Sequence, residues 1–327
     1  MRLIIGLIVA CSLVGCQKQE GEICVETKNL FYDQSHRSFL QLKGDVKGFR
    51  EYKQDEAGVE KVLVGKLSFN PAGNLTEYDP SGSAADASAY WLPVFLERYS
   101  YDYDLQGRLS AVRISQSEGQ SVSYKLIYGT HSDYVLLPFE IKPLGEWFVQ
   151  GLLAIESDQP GFSFTYEAGH SVSLIPESGF LKEETASYQN GFVATGTVRY
   201  LDGSEVCRIS ETTYQFDDAT GKPLSKKQTV TEADYTEFSE WIYDANGFCG
   251  KRSDSNTGEK CVTEYAYNSS NWLLDITVKG EVRNGTLNRS YEVDEVGNWT
   301  TCIQETTGFV SWEYPQGKEI IIREFIY

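Results

Sequence analysis

The sequence predicts an all-β protein: an extended, curled antiparallel meander of successive β-hairpins with few or no helices. Three observations predict it. A short unit, clearest in Ser290 to Thr301 (SYEVDEVGNWTT), recurs from about Phe69 to the C-terminus. The residues that open its later turns, Asp218, Asp244, Asn268 and Asp294, recur about every 25 residues, the length of two strands and two turns. The composition also favours sheet, with 21 Tyr, 16 Phe and 6 Trp against 1 Met and 9 Pro.

The unit specifies a hairpin corner. Tyr291 and Val293 share one face of an extended segment because strand side chains alternate. Asp294 begins the turn, where its carboxylate accepts hydrogen bonds from backbone N–H groups just downstream. Glu295 and Val296 suit the two central positions of a type I turn. Gly297 supplies the positive φ that the following bulge requires, and Asn298 and Trp299 open the return strand.

The N-terminus carries an address. Arg2 is a minimal positive region, and Leu3 to Leu13 is an apolar run too short to span a bilayer comfortably. It ends in Leu13-Val14-Gly15-Cys16, which resembles a bacterial lipobox and implies lipidation of Cys16. More than one acyl chain gives stable anchoring where a single chain is marginal. Gln17 follows the cysteine. By analogy with known lipoproteins, the absence of Asp there implies the outer membrane, with the body facing the periplasm or the cell surface. The organisation expected is a signal peptide over 1–15, a lipidated Cys and tether over 16–37, hairpin repeats over 38–129, an irregular insertion or junction over 130–179, and a C-terminal meander over 180–327.

Within this frame Phe69 to Leu75 (FNPAGNL) and Tyr101 to Leu109 (YDYDLQGRL) are clear copies of the unit. The region 130–179 holds four of the nine prolines, and Phe148 to Ile155 (FVQGLLAI) reads as a buried strand or a short helix. From Phe180 the punctuation strengthens, with Asn190-Gly191, Asp202-Gly203 and Asn284-Gly285 between β-formers. Glu232 to Glu240 (EADYTEFSE) is the best candidate for a helical turn. Cys249 and Cys261 flank the loop Asp254 to Gly258 almost symmetrically, which allows a disulfide across two strands, with buried thiols as the other reading.

Tyr101-x-Tyr103-Asp104-x-x-Gly107-Arg108-Leu109 and Tyr291-x-Val293-Asp294-x-x-Gly297-Asn298-Trp299 are similar to the YD repeat of the Rhs family. Leu42 to Lys47 (LKGDVK) resembles the opening of Bacteroidota YD-repeat lipoproteins. The resemblance implies a curled β-sheet body. It does not imply a toxin shell, since the repeats are too few to enclose a cargo and neither a toxin domain nor the Rhs self-cleavage core is present.

Chemistry is sparse. His36, His131 and His170 are too dispersed for a local metal or catalytic motif, and no P-loop, H-E-x-x-H or G-x-S-x-G occurs. No metal ligand set, cofactor or catalytic residue is expected. The formal charge of −18 argues against nucleic acid as a partner. The function expected is a non-enzymatic binding or structural module at the cell envelope, with a glycan or an envelope protein as partner. The first alternative is a carbohydrate-binding accessory lipoprotein, with Trp91, Trp147, Trp272 and Trp299 as stacking aromatics. The second is a hydrolase with its site in 130–179.

Overall fold

The computed structural model describes residues 36–54, 61–79, 98–115, 120–138, 141, 147–177, 180–217, 220–233, 235–256, 259–281, 283–308 and 316–327. Cys16 and Trp91 lie outside them. One helical turn, α1 (His36–Phe39), precedes the strands. Then follow β1 (Gly48–Gln54), β2 (Lys61–Phe69), β3 (Leu75–Asp79), β4 (Arg98–Tyr103), β5 (Leu109–Ser115) and β6 (Ser121–Tyr128). A small hairpin of β7 (Tyr134–Leu136) and β8 (Phe148–Gln150) intervenes before β9 (Leu152–Ser157), β10 (Ser163–Glu167) and β11 (His170–Glu177). The second half comprises β12 (Phe180–Gln189), β13 (Phe192–Asp202), β14 (Glu205–Phe216), β15 (Pro223–Glu232), β16 (Tyr235–Tyr243) and β17 (Cys249–Ser255). It ends with β18 (Lys260–Tyr267), β19 (Leu273–Gly280), β20 (Asn284–Val293), β21 (Trp299–Gly308) and β22 (Gly317–Ile326).

Every strand except β7 and β8 joins one 20-stranded antiparallel sheet, each pairing with its chain neighbour. The sheet closes on itself. β1 pairs with β22, in a register running from Gly48 opposite Ile326 to Gln54 opposite Ile320. The meander is therefore a barrel, and closure removes both sheet edges. The two repeat regions expected on either side of an irregular stretch form one continuous wall. The departure from the meander is confined to residues between β6 and β9, because β9 to β11 pair in sequence with β6 and β12.

The turns follow the chemistry of the repeated unit. Asp294 Oδ1 accepts from the N–H groups of Val296, Gly297 and Asn298 at 3.0, 2.8 and 2.8 Å, and Gly297 sits at φ +90°. Asp104, Asp244 and Asn268 repeat the arrangement, with Asn271 at φ +62° where the other corners use glycine. At the next corner Asp217 Oδ1 accepts from Thr220 N–H at 2.8 Å, and Asp218, the acid expected there, lies outside the described residues. The tyrosines of the unit also have a structural task. The hydroxyls of Tyr103, Tyr128 and Tyr267 donate to the carbonyls of Leu75, Leu109 and Cys249, and that of Tyr291 to Leu273. Each ties one corner to the start of the return strand in the corner before it.

Two expectations are corrected. Glu232 to Glu240 forms no helix: Glu232 ends β15, Ala233 turns at φ +46°, and β16 begins at Tyr235. Cys249 and Cys261 do not face each other across β17 and β18. Asp254 lies opposite Cys261, Cys249 lies beyond the paired stretch, and no disulfide joins them.

The closing seam is locked by charge. Arg323 Nε bonds Glu51 Oε2 at 2.9 Å, with the two side chains only 6% and 5% exposed. The guanidinium also lies over the rings of Trp299 at 3.8 Å and Phe49 at 4.6 Å. The polar chain continues along the inner wall. Lys53 Nζ bonds Glu319 at 3.0 Å, Gln304 donates to Glu319 at 3.2 Å, and Arg289 donates twice to Gln304. Residues 40–47 lie across the same rim. Lys43 N–H donates to Asn298 Oδ1 at 2.6 Å, Asn298 Nδ2 donates back to the Lys43 carbonyl at 2.9 Å, and Tyr327 OH donates to Asp294.

Two predictions follow from these contacts. Gly297→Val forces a β-branched residue to positive φ and should cost roughly 1–3 kcal/mol, while Asp294→Asn, which keeps an acceptor, should be mild; denaturant midpoints check both. Arg323→Ala strands a buried carboxylate and should cost roughly 3–5 kcal/mol, most of it recovered by Glu51→Leu with Arg323→Met. A loss under about 1 kcal/mol, the range of exposed ion pairs, would mean that the seam is not sealed there.

Candidate functional site

The two faces of the wall carry different chemistry. Facing outward are Arg50, Tyr52 and Gln54 on β1, Glu183, Thr185 and Ser187 on β12, and Lys227 and Thr229 on β15, with Asp275, Thr277 and Lys279 on β19. Lys125–Glu156, Arg199–Glu183 and Lys227–Glu240 form ion pairs between directly opposed outward residues, at 3.3, 2.7 and 3.1 Å. Such pairs add little stability. Their distribution around the barrel makes the outside a polar, charged surface.

The inner face is divided into sectors. From β1 to β10 it is an apolar core built on Phe49, Leu67, Tyr78, Tyr99, Tyr101, Val112 and Phe164. A smaller apolar cluster of Ile276, Val278 and Leu287 lines β19 and β20. Between them, from β11 to β17, polar inward residues (Ser171 and Ser173, Lys182 and Glu184, Ser210 and Thr212, Lys226 and Gln228, Ser239, Arg252 and Asp254) are interspersed with the apolar Ile175, Val193, Tyr214 and Val230. Buried polar groups must be satisfied. Lys182 pairs with Glu184 at 2.7 Å, Gln228 donates to Ser210 at 2.8 Å, and Asp254 takes both Ser239 at 2.6 Å and Arg252 at 2.9 Å.

The β7–β8 hairpin packs against the inner wall of the barrel. Val135, Leu137 and Ile141 are fully buried in the main core, and Trp147 packs on the inward Tyr101 with ring centroids 5.1 Å apart. Phe148 meets Phe216, Tyr214 and Val193, which belong to a separate stretch of wall. The hairpin therefore reaches two distant parts of the inner wall, as a plug does. Besides its own pairing it hydrogen-bonds to the barrel: Tyr134 N–H to Gly191 carbonyl at 2.9 Å, Leu136 N–H to Tyr188 OH at 3.1 Å, and Tyr166 OH to Asp133.

Two polar groups of 130–179, Ser171 and His131, are engaged around this docking. Ser171 Oγ meets Tyr188 OH at 3.0 Å, and the His131 ring stacks on Tyr166 at 3.9 Å with its Nε2 3.0 Å from the Leu152 carbonyl. The sequence-predicted tryptophans are dispersed. Trp147 is buried within the plug, against Tyr101. Trp272 and Trp299 flank Tyr291 at 5.3 and 5.8 Å, tilted by 50° and 56°, so they form no coplanar platform. Trp241 was missed. It stands on the inner face of β16 between Lys226 and Arg252, each 5.0 Å from its ring centroid. Strict alternation from Tyr235 to Tyr243 would have placed it, but both faces of that strand mix apolar and polar residues.

No known protein family matches the sequence, and no curated protein does. Among solved structures, a porin-like protein from Bacteroides uniformis covers 87% of this chain and 99% of its own length, at 12% identity and a TM-score of 0.35. A porin-like protein from Bacteroides vulgatus covers 86% and 98%, at 10% identity and 0.29. The TcdB2-TccC3 structure covers 84% of this chain and 15% of its own, at 15% identity and 0.22. At these scores the likenesses carry no functional argument, and the barrel rests on its own strand pairings.

Burial raises the pKa of the two wall tyrosines to which the plug is bonded. The Tyr166 and Tyr188 hydroxyls are each pushed up to about 12, chiefly by burial, with Asp133 adding to the effect at Tyr166. The folded state thus keeps protons that the unfolded chain loses near pH 10. Stability should be constant up to about pH 10 and fall between pH 10 and 12, as denaturant midpoints against pH will show. Tyr188→Phe should reduce that fall and cost roughly 1–3 kcal/mol at neutral pH by leaving Leu136 N–H unsatisfied. A midpoint flat to pH 12 would contradict the docking.

Proposed function

We propose that the chain is a non-enzymatic binding module of the bacterial envelope: a plugged, water-facing β-barrel tethered through lipid on Cys16. One observation carries the reading. Charge is spread around the outer wall, while one sector of the inner wall carries polar groups. A lipid-exposed barrel shows the reverse outside, an apolar band, and each Lys or Arg at the bilayer midplane costs roughly 2–4 kcal/mol. With Arg50, Lys125, Arg199, Lys227 and Lys279 outward on five separate strands, the wall is suited to water. Attachment to a membrane is then left to the N-terminal segment, where Leu13-Val14-Gly15-Cys16 supplies the lipobox-like signal. The engaged state of Ser171, His131 and Asp133 favours binding over hydrolysis.

The full-length chain should partition into the detergent phase and the membrane fraction. Cys16→Ala should move it to the aqueous fraction with an unchanged circular-dichroism spectrum. Retention of the variant in membranes would overturn the anchor. Discrete conductance steps in planar bilayers would overturn the water-facing barrel.

A further inference from the structure

The connections of an antiparallel meander alternate between its two ends. The corners after β2, β4, β14, β16, β18 and β20 therefore share one rim, and the end of β22 joins them because Ile326 lies opposite Gly48 at the start of β1. Twelve large apolar side chains are exposed among the described residues, and most of them lie at this rim. Leu105 and Val296 are corner tips, Leu224 and Val293 flank corners, and Ile326 and Tyr327 end the chain there. The opposite end has Val206 and Tyr235. Leu105 is fully exposed, and Tyr327 stands against the last corner, where its hydroxyl donates to Asp294. Exposed apolar residues scattered singly need no explanation, but a set gathered at one rim does.

The N-terminal segment is fastened at the same rim. Arg37 N–H donates to the Gly73 carbonyl at 2.9 Å, Lys43 is bonded to Asn298, and a Cβ on Gly44 would meet Val296 at 2.9 Å. The chain therefore runs back towards Cys16 from this end. The roughly 20 residues from Cys16 to His36 span at most about 70 Å, and a strand of ten residues is about 33 Å long. Turning the corner rim to an anchoring surface leaves that reach free, whereas turning the far end to it takes up about half in running back along the wall. The carboxylates beside the corner tips already have partners. Asp104 accepts from the Gln106 and Arg108 N–H groups and from the Arg108 guanidinium, and Asp294 accepts from three N–H groups and the Tyr327 hydroxyl. They would enter a headgroup layer with those bonds in place, which lowers the cost of leaving water.

We propose that the corner rim seats on a lipid surface of zwitterionic headgroups, with Leu105 and Val296 entering the headgroup layer and the opposite end of the barrel turned to solvent. This rests on the reading of Cys16 as a lipid anchor, which supplies the surface and keeps the rim at high local concentration beside it. Apolar side chains on a polar body let a protein lie on a membrane without spanning it. Charge selects the headgroup. Glu295 is exposed beside Val296 and the formal charge of the chain is −18, so an anionic surface would repel this rim. A second copy of the chain fits less well, because two such acidic bodies repel each other. The contact orients the barrel and does not hold it, since even a single myristoyl chain gives only marginal binding.

The test holds residues 17–327, which keep every described strand, on vesicles of phosphatidylethanolamine and phosphatidylcholine through an N-terminal hexahistidine and a nickel-chelating lipid, so that acylation is not needed. A nitrobenzoxadiazole label is placed on Leu105→Cys, Val296→Cys or, at the far end, Thr236→Cys, each with Cys24→Ser and Cys207→Ser. The labels at 105 and 296 should shift to the blue on vesicles and be quenched by doxyl-labelled lipid. They should do so at low and high salt alike, because salt screens charges and not apolar contact. The label at 236 should keep its solution spectrum. A label on Leu224→Cys should shift too, and lose the shift when Leu105→Asp and Val296→Asp are added, with thermal melting showing that the variant folds. Labels at 105 and 296 that keep their solution spectra, or respond no more than the one at 236, would overturn the rim. Loss of the shift at high salt would overturn the apolar contact in favour of adsorption by charge. The same shift without vesicles, growing with protein concentration, would overturn the lipid surface in favour of a second copy. The anchor is tested apart, by the mass of the native chain. An unacylated native chain would overturn the anchor but not a rim whose labels enter the bilayer, and an acylated one whose labels stay in water would overturn the rim alone.

Discussion

The pairing of the first strand with the last is the constraint on which the rest of the structure depends. A meander of hairpins needs only local contacts, and each Asp–Gly corner forms from residues adjacent in sequence. Nothing local makes such a ribbon curl back on itself. β1 and β22 meet across nearly the whole chain, and closing so long a loop is entropically costly. The seam offsets that cost with a full antiparallel register and with Glu51 and Arg323, buried against Phe49 and Trp299. Closure also gives the wall its two sides. An open sheet would leave the polar residues on that face of β11 to β17 in bulk water. The barrel turns them inward and gives the β7–β8 hairpin an inner wall to pack against.

The chemistry of the two faces then follows from strand alternation. Because successive side chains point to opposite sides, one residue of slip in any strand would exchange inner and outer sets. The bulges before the corners, such as those at Glu292/Val293 and Asp102/Tyr103, recur at the same place in each unit and keep the alternation in phase around the ring. The tyrosine hydroxyls that reach back to the preceding corner fix the spacing along the rim. The repeated unit thus stabilises, and the two central positions of a corner are left for another task. Leu105 and Val296 occupy such positions.

Much of the fold was legible because its signals are local. Gly107, Gly247 and Gly297 sit at the positive φ that the turn pattern required, and Asn271 does so in glycine's place. Glu232 to Glu240 looked helical because Glu237 and Trp241 face inward while Phe238 and Ile242 face outward, so no apolar alternation marks β16. Closure could not be read, since Glu51 and Arg323 are ordinary charged residues in sequence and become partners only once the barrel exists. The plug was hidden for a similar reason. Val135, Leu137, Ile141 and Trp147 are apolar but aperiodic, because they pack against walls on two sides rather than onto one sheet face. The tryptophans were chosen as stacking candidates by type, and the one with two cations each 5.0 Å from its ring centroid was not among them.

The most direct test of the closed barrel is amide hydrogen exchange of the two terminal strands. Edge strands of an open sheet exchange through local fraying, whereas strands paired on both sides open only with larger units of structure. The amides of Phe49 to Lys53 and of Ile321 to Phe325 should be protected to the same degree as those of β13 and β14 in mid-sheet. Rapid exchange confined to β1 and β22, with mid-sheet protection intact, would show an open ribbon and contradict the closed barrel.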